Sequence, residues 1–141
     1  MAIIGNALWC PKLIKTYSIT TSNISTFFTV ANLTYYFAGS GATWTSNNKA
    51  KSSSTAQTTL TALKNMTVSF SYSYSSEARY DKFYLTVGGT TVKNGVSGST
   101  TTGSYTATLT AGQTIIFKYT KDGSVNKNND CCTFYSMTVT C

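Results

Sequence analysis

Residues 68–87, VSFSYSYSSEARYDKFYLTV, constrain the fold more than any other part of the chain. The first half alternates without a break. Val68, Phe70, Tyr72 and Tyr74 fall at one parity, and Ser69, Ser71, Ser73 and Ser75 at the other. A two-residue period sends the apolar and aromatic side chains to one face of a strand and the serines to the other. The pattern resumes with Phe83, Leu85 and Val87. Between the halves lies a polar corner, Ser75 to Asp81, holding Glu77 and Asp81. The simplest reading is two strands joined as a hairpin.

The rest of the chain agrees with a β protein. Only 11% of its 141 residues are charged. Thr, Ser, Gly and Tyr take the places that Lys, Glu and Leu hold in helical proteins, and the β-branched and aromatic types favour strands. Alternating or apolar runs recur at 17–20, 26–30, 33–37, 56–63, 105–109, 114–120 and 133–141. A Gly88-Gly89 turn makes a hairpin of the segments on either side. Residues 44–54, WTSNNKAKSSS, read as a long polar loop led by Trp44, and Gly39-Ser40-Gly41 as the stop of the strand before it. Short strands at spacings of roughly 8–12 residues, with turns between them, predict a single antiparallel β-sandwich of the jelly-roll kind. Residues 1–30 read as an N-terminal anchoring or oligomerisation segment with edge strands. Residues 31–141 read as the sandwich domain.

Charge and residue types exclude several functions. The net charge is +7, from 11 basic and 4 acidic residues, which favours polyanionic or acidic partners. The lysines are scattered, however, and form no nucleic-acid footprint, so no specific nucleic-acid partner is expected. The chain has no histidine, which removes Ser-His and Cys-His nucleophilic mechanisms. With neither a CxxC nor any histidine, a structural zinc site is not expected. Cys10, Cys131, Cys132 and Cys141 fix no disulfide pairing by spacing alone. No secretory signal opens the sequence and no run approaches the 18 apolar residues of a membrane span, so synthesis in a cytoplasm and no membrane partner are expected.

Three groups of residues are candidates for function. Glu77, Asp81, Asp122 and Asp130 are the only acids. As a glycosidase pair they are poorly matched, because Arg79, Lys82 and Lys121 flank them, and no enzymatic activity is expected. With Asn126 and Asn128 they offer the hard oxygens that calcium takes, and calcium is the one cofactor considered. Trp44, Tyr80 and Tyr84 are aromatics that could stack on sugar rings. Ile3, Ile4, Leu8 and Trp9 form an apolar N-terminal patch that needs a cover, either its own sandwich or a partner.

Residues 36–140 resemble a β-sandwich module of bacteriophage tail and fibre proteins and of surface proteins of their Gram-positive hosts, itself similar to carbohydrate-binding and MAM-like domains. The likeness is carried by WTSNN with the following SSST (44–55), SSEARYDK (75–82), VGGTTV (87–92) and FKYTKDGSV (117–125). The opening MAIIGNAL is similar to the start of some phage tail-associated proteins. The resemblance implies a non-catalytic structural accessory protein on a virion surface: a capsid decoration, a head fibre or a tail-associated protein. It would be made in the host cytoplasm and anchored to capsid or tail proteins through Ile3, Ile4, Leu8 and Trp9. Its edge strands and apolar N-terminus lead us to expect a homo-oligomer, a trimer among the options. The alternative is a carbohydrate-binding module that recognises host cell-wall glycans.

Overall fold

The computed structural model describes residues 13–123 and 128–141. In chain order the elements are β1 (Thr16–Ser18), α1 (Ile24–Phe27), β2 (Phe28–Asn32), β3 (Phe37–Ser40), β4 (Thr43–Ser46), β5 (Thr55–Ala62), β6 (Met66–Ser75), β7 (Lys82–Val87), β8 (Thr90–Val96), β9 (Thr101–Leu109), β10 (Thr114–Thr120) and β11 (Cys131–Thr140). One sheet runs β3-β4-β11-β6-β9, with β1 also on β11. The other runs β2-β5-β10-β7-β8. Every pairing of named strands is antiparallel. The expected sandwich is present, with the four-residue α1 as its one helix among the described residues. No helix among them is long and apolar enough to cross a membrane.

The alternation in β6 does what its period dictates: Val68, Phe70, Tyr72 and Tyr74 are buried. So are Phe83, Leu85 and Val87 of β7. The expected hairpin between them is not there. The two strands lie in opposite sheets, and 76–81 is an arch that crosses from one to the other. Their apolar faces meet across the core, where the Phe83 ring lies 5.7 Å from both Tyr72 and Tyr74. The physical reason is that period two fixes which face a strand buries, not which strand it hydrogen-bonds. The Gly88-Gly89 hairpin does form, with φ of 55° and 85°, values that suit glycine.

Aromatic rings from both sheets knit the core. Phe117 of β10 stacks on Phe134 of β11 at 3.9 Å, and Phe37 and Phe70 pack around them. Each of these fully buried rings contributes about 1.5–3 kcal/mol by leaving water. Of the first thirty residues, Ile19, Ile24, Phe27 and Phe28 join this core, and β1 pairs with the end of β11. Ile3, Ile4, Leu8 and Trp9 lie outside the described residues, as do Asn126 and Cys10.

Candidate functional site

Four loops converge at one corner: β4–β5, β6–β7, β8–β9 and β10–β11. Backbone and hydroxyl bonds tie them together. Ser76 N–H donates to Gly98 O at 2.8 Å and Ser53 N–H to Asp122 O at 2.7 Å, while Arg79 N–H donates to Ser97 Oγ at 2.8 Å. Asn128 Nδ2 donates to Ser76 O at 2.7 Å. All four acids of the chain come to this corner. Lys121, its side chain 1% exposed, bridges Asp81 (Nζ–Oδ2 3.3 Å) and Asp130, both equally buried. Both aspartates accept further hydrogen bonds. Asp81 Oδ1 accepts Asp122 N–H at 3.0 Å, Asp130 Oδ2 accepts Ala50 N–H at 2.8 Å, and Asp130 Oδ1 accepts the Tyr119 hydroxyl at 2.9 Å. Burial, and then the bond to Asp130, push the Tyr119 phenol far above its ordinary range. Burial likewise pushes up the thiols of neighbouring Cys131 and Cys132.

The chemistry open to this corner is limited by that burial. Asp81 and Asp130 are held by a lysine and by backbone donors, and neither reaches a cleft where a glycosidic bond could sit between them. Of the four acids weighed as calcium ligands, Glu77, Asp81 and Asp122 bring one oxygen each to within 4.8 Å of one another. Asp130 belongs instead to the lysine bridge. Glu77 Oε1 is buried without a donor among the described residues, which fits an oxygen awaiting a cation or a water.

The aromatic candidates fall at three separate places. Tyr80 is 56% exposed on the 76–81 arch. Tyr84 is on the outer face of the five-stranded sheet. Trp44 is not in a loop: it sits on β4, only 5% exposed, and stacks on Phe134 at 4.9 Å and 7°. It is on a strand because Thr43–Ser46 pairs with both β3 and β11, whose ladders take up its polar backbone. Gly39, read as a strand stop, is inside β3 directly opposite Trp44. A Cβ there would stand 2.6 Å from Trp44 Nε1 and 2.5 Å from the Thr21 methyl, so only glycine lets the indole lie flat against β3.

Trp44 lines a cleft of about 260 Å³ between the edge strands β2 and β3 of the two sheets. Phe37 and Phe134 share its aromatic wall. Thr21, Ser25, Asn32, Tyr36 and Thr58 supply polar groups. Thr58 Oγ1 accepts from Phe37 N–H at 2.9 Å and donates to Asn32 Oδ1 at 2.8 Å. This relay fixes the orientation of the Asn32 amide, whose Nδ2 is engaged in no hydrogen bond among the described residues. Nor is the Trp44 indole N–H. An apolar, aromatic-lined cleft with an oriented amide, an indole N–H and hydroxyl groups at its rim suits a polyhydroxylated ligand, whose hydroxyls hydrogen-bond there. Sequence reading missed Asn32, Thr58 and Gly39. No local motif marks them, since the cleft gathers residues from position 21 to position 134.

No protein-family model matches the chain, and no curated protein sequence matches it. Solved structures do. Secreted serine protease VesC from Vibrio cholerae superposes with a TM-score of 0.63 at 11% identity, over 88% of this chain and 28% of that one. The chain thus spans little more than a quarter of the protease, and the likeness is one of fold. A family 35 carbohydrate-binding module from Clostridium thermocellum superposes with a TM-score of 0.35 at 15% identity, covering 89% of this chain and 90% of the module. The C-terminal CBM6 of LamC from Zobellia galactanivorans gives 0.38 at 13%, covering 90% and 100%.

Proposed function

We propose that this protein is a non-catalytic carbohydrate-binding β-sandwich that takes a neutral sugar residue in the Trp44 cleft. The observation that carries the reading is the pairing of an indole N–H with an oriented amide in one aromatic-lined cleft. Trp44 brings an indole N–H that has no hydrogen-bond partner among the described residues, and Asn32, held through Thr58, offers an amide N–H₂ at the same cleft. Neither this cleft nor the concavity on the outer face of the five-stranded sheet is lined by a carboxylate or a thiol, which favours binding over turnover. The virion reading depends on the segment with Ile3, Ile4, Leu8 and Trp9, about which the fold is silent. It is compatible with glycan binding, since a surface module that attaches to cells needs a receptor site.

A panel of neutral oligosaccharides, followed by calorimetry on the best binder, tests the reading. We expect saturable binding that weakens roughly tenfold in Asn32→Ala, the loss of about one hydrogen bond in a desolvated site. Asn32 is exposed, so this variant keeps the fold. Trp44→Ala should abolish binding, with circular dichroism reporting whether the sandwich persists. No binding to any glycan, together with tight binding to purified phage particles, would overturn the cleft and leave the virion reading standing.

A further inference from the structure

The outer face of the five-stranded sheet carries a second concavity, of about 340 Å³, unrelated to the Trp44 cleft. Strand register builds it. Lys118 of β10 stands directly opposite Gln57 of β5 on one side and Tyr84 of β7 on the other, and Tyr84 stands opposite Asn94 of β8. Four strands thus present one straight row: amide, ammonium, phenol, amide. The row beside it is Thr59, Ile116, Thr86 and Thr91.

Two irregularities in β8 shape the rim, one between Phe83 and Tyr84 and one between Leu85 and Thr86 of the partner strand. Gly95 is the extra residue of the first, at φ +78°, and a Cβ there would press on the Tyr84 ring at 3.2 Å. Lys118 Nζ lies 4.7 Å from the centroid of that ring. Tyr84 is therefore held in place by a glycine and a cation.

Charge decides what would bind here. All four acids of the chain are in the loop corner, and among the described residues the only ion pairs are those of Lys121. Lys118 lines the concavity with no carboxylate beside it, and Lys82 projects from the same sheet face one row away. Lys93 lines it too, but its ammonium lies 6.0 Å from the Tyr72 ring of the other sheet. A cation with no carboxylate partner, on a platform that also offers two amides and threonine hydroxyls, matches a ligand that is both anionic and rich in hydroxyls.

We propose that this face is a second glycan site, selective for an acidic saccharide. A sugar carboxylate or sulfate would sit at Lys118, with the ring against Tyr84 and its hydroxyls on Gln57 and Asn94. A nucleic acid fits less well. It needs a track of cations at phosphate spacing, and here the cations are gathered around one pocket while the lysines elsewhere are scattered. The inference does not rest on the Trp44 reading, because the two sites share no residue.

The test is calorimetry of the full chain with oligogalacturonate, a sulfated oligosaccharide, their neutral counterparts, and a single-stranded oligonucleotide. The acidic sugars should bind, the neutral ones should bind this face at least tenfold more weakly, and affinity should fall as salt rises. Lys118→Met and Tyr84→Ala, both on a solvent-facing row, should each cut acidic-sugar affinity tenfold or more and leave Asn32-dependent binding of neutral sugar unchanged. Equal binding of the oligonucleotide would overturn the proposal in favour of a general polyanion surface. Absence of acidic-sugar binding, or binding that survives both variants, would overturn it outright. Carboxylate and sulfate probes distinguish the two sources of the negative charge.

Discussion

The loop corner and the outer face of the five-stranded sheet use lysine in opposite ways. In the corner, Lys121 is buried between Asp81 of the β6–β7 loop and Asp130 of its own loop, and backbone N–H groups of Asp122 and Ala50 donate to those same aspartates. On the face, Lys118 rests on one tyrosine ring and meets no acid. The difference teaches where function can lie. A charge whose partners are all inside the protein holds the fold together, and its strength is spent there. A charge left without a partner on a rigid sheet is available to a ligand.

Exchanging each lysine for methionine is the sharpest way to break that comparison. Lys121→Met leaves two carboxylates buried without their counter-charge, and breaking such a pair costs about 3–5 kcal/mol. The melting temperature should drop by more than about 10 °C. Lys118→Met should stay within about 0.5 kcal/mol of the parent. Thermal melts of both variants decide the matter, and equal losses would mean that the corner is no more structural than the face.

The corner was half legible in the sequence. The 77–81 and 122–130 acids could be read as loop chemistry because they flank turn residues and strand ends. The burial of Lys121 could not, since a lysine followed by Asp122 reads as an ordinary surface pair. The strands were legible for a simpler reason. Period two survives in β6, β7 and β10 because each buries one full face. What period two cannot carry is partnership. The arch at 76–81 was read as a hairpin, and Trp44 as a loop residue, because both depend on which strands lie alongside, and that is decided by residues far away in the chain.

Alkali sharpens the contrast from the side of the neighbouring core. Cys132 and Tyr119 have folded-state values raised above the 9.0 and 10.0 of the free groups, first by burial. For a group raised on folding, the contribution is fully present below the unfolded value and is lost as pH climbs beyond it, because only the unfolded chain can then ionise. Stability should therefore hold to about pH 9 and then fall. For Cys132 alone the slope is about 1.4 kcal/mol per pH unit. Urea melts at about pH 8 and pH 10.5 measure it, and ultraviolet titration should show at least one tyrosine ionising only as the protein unfolds. A flat stability profile across that range would mean that these groups reach solvent.

The smallest expected effect concerns Glu77 and Asp122 together with Asp81, the aspartate they share with the lysine bridge. Glu77, Asp81 and Asp122 approach within 4.8 Å, and Lys121 is committed to Asp81 and Asp130. Glu77 Oε1 is buried with no donor among the described residues. An oxygen-seeking cation would relieve both the repulsion and the orphaned acceptor, and three carboxylate oxygens with nearby backbone carbonyls suit calcium better than a softer metal. Calcium at ten times its dissociation constant would then stabilise the protein by about 1.4 kcal/mol, a rise in melting temperature of roughly 4–6 °C for a chain of this size. The parent should show this shift in differential scanning fluorimetry with calcium at about 5 mM against chelator. Glu77→Gln, which keeps the shape of the side chain and removes its charge, should lose most of the shift, while Lys118→Met should retain it. No response to calcium in the parent would mean that the corner is already balanced by the protein's own groups and takes no cation.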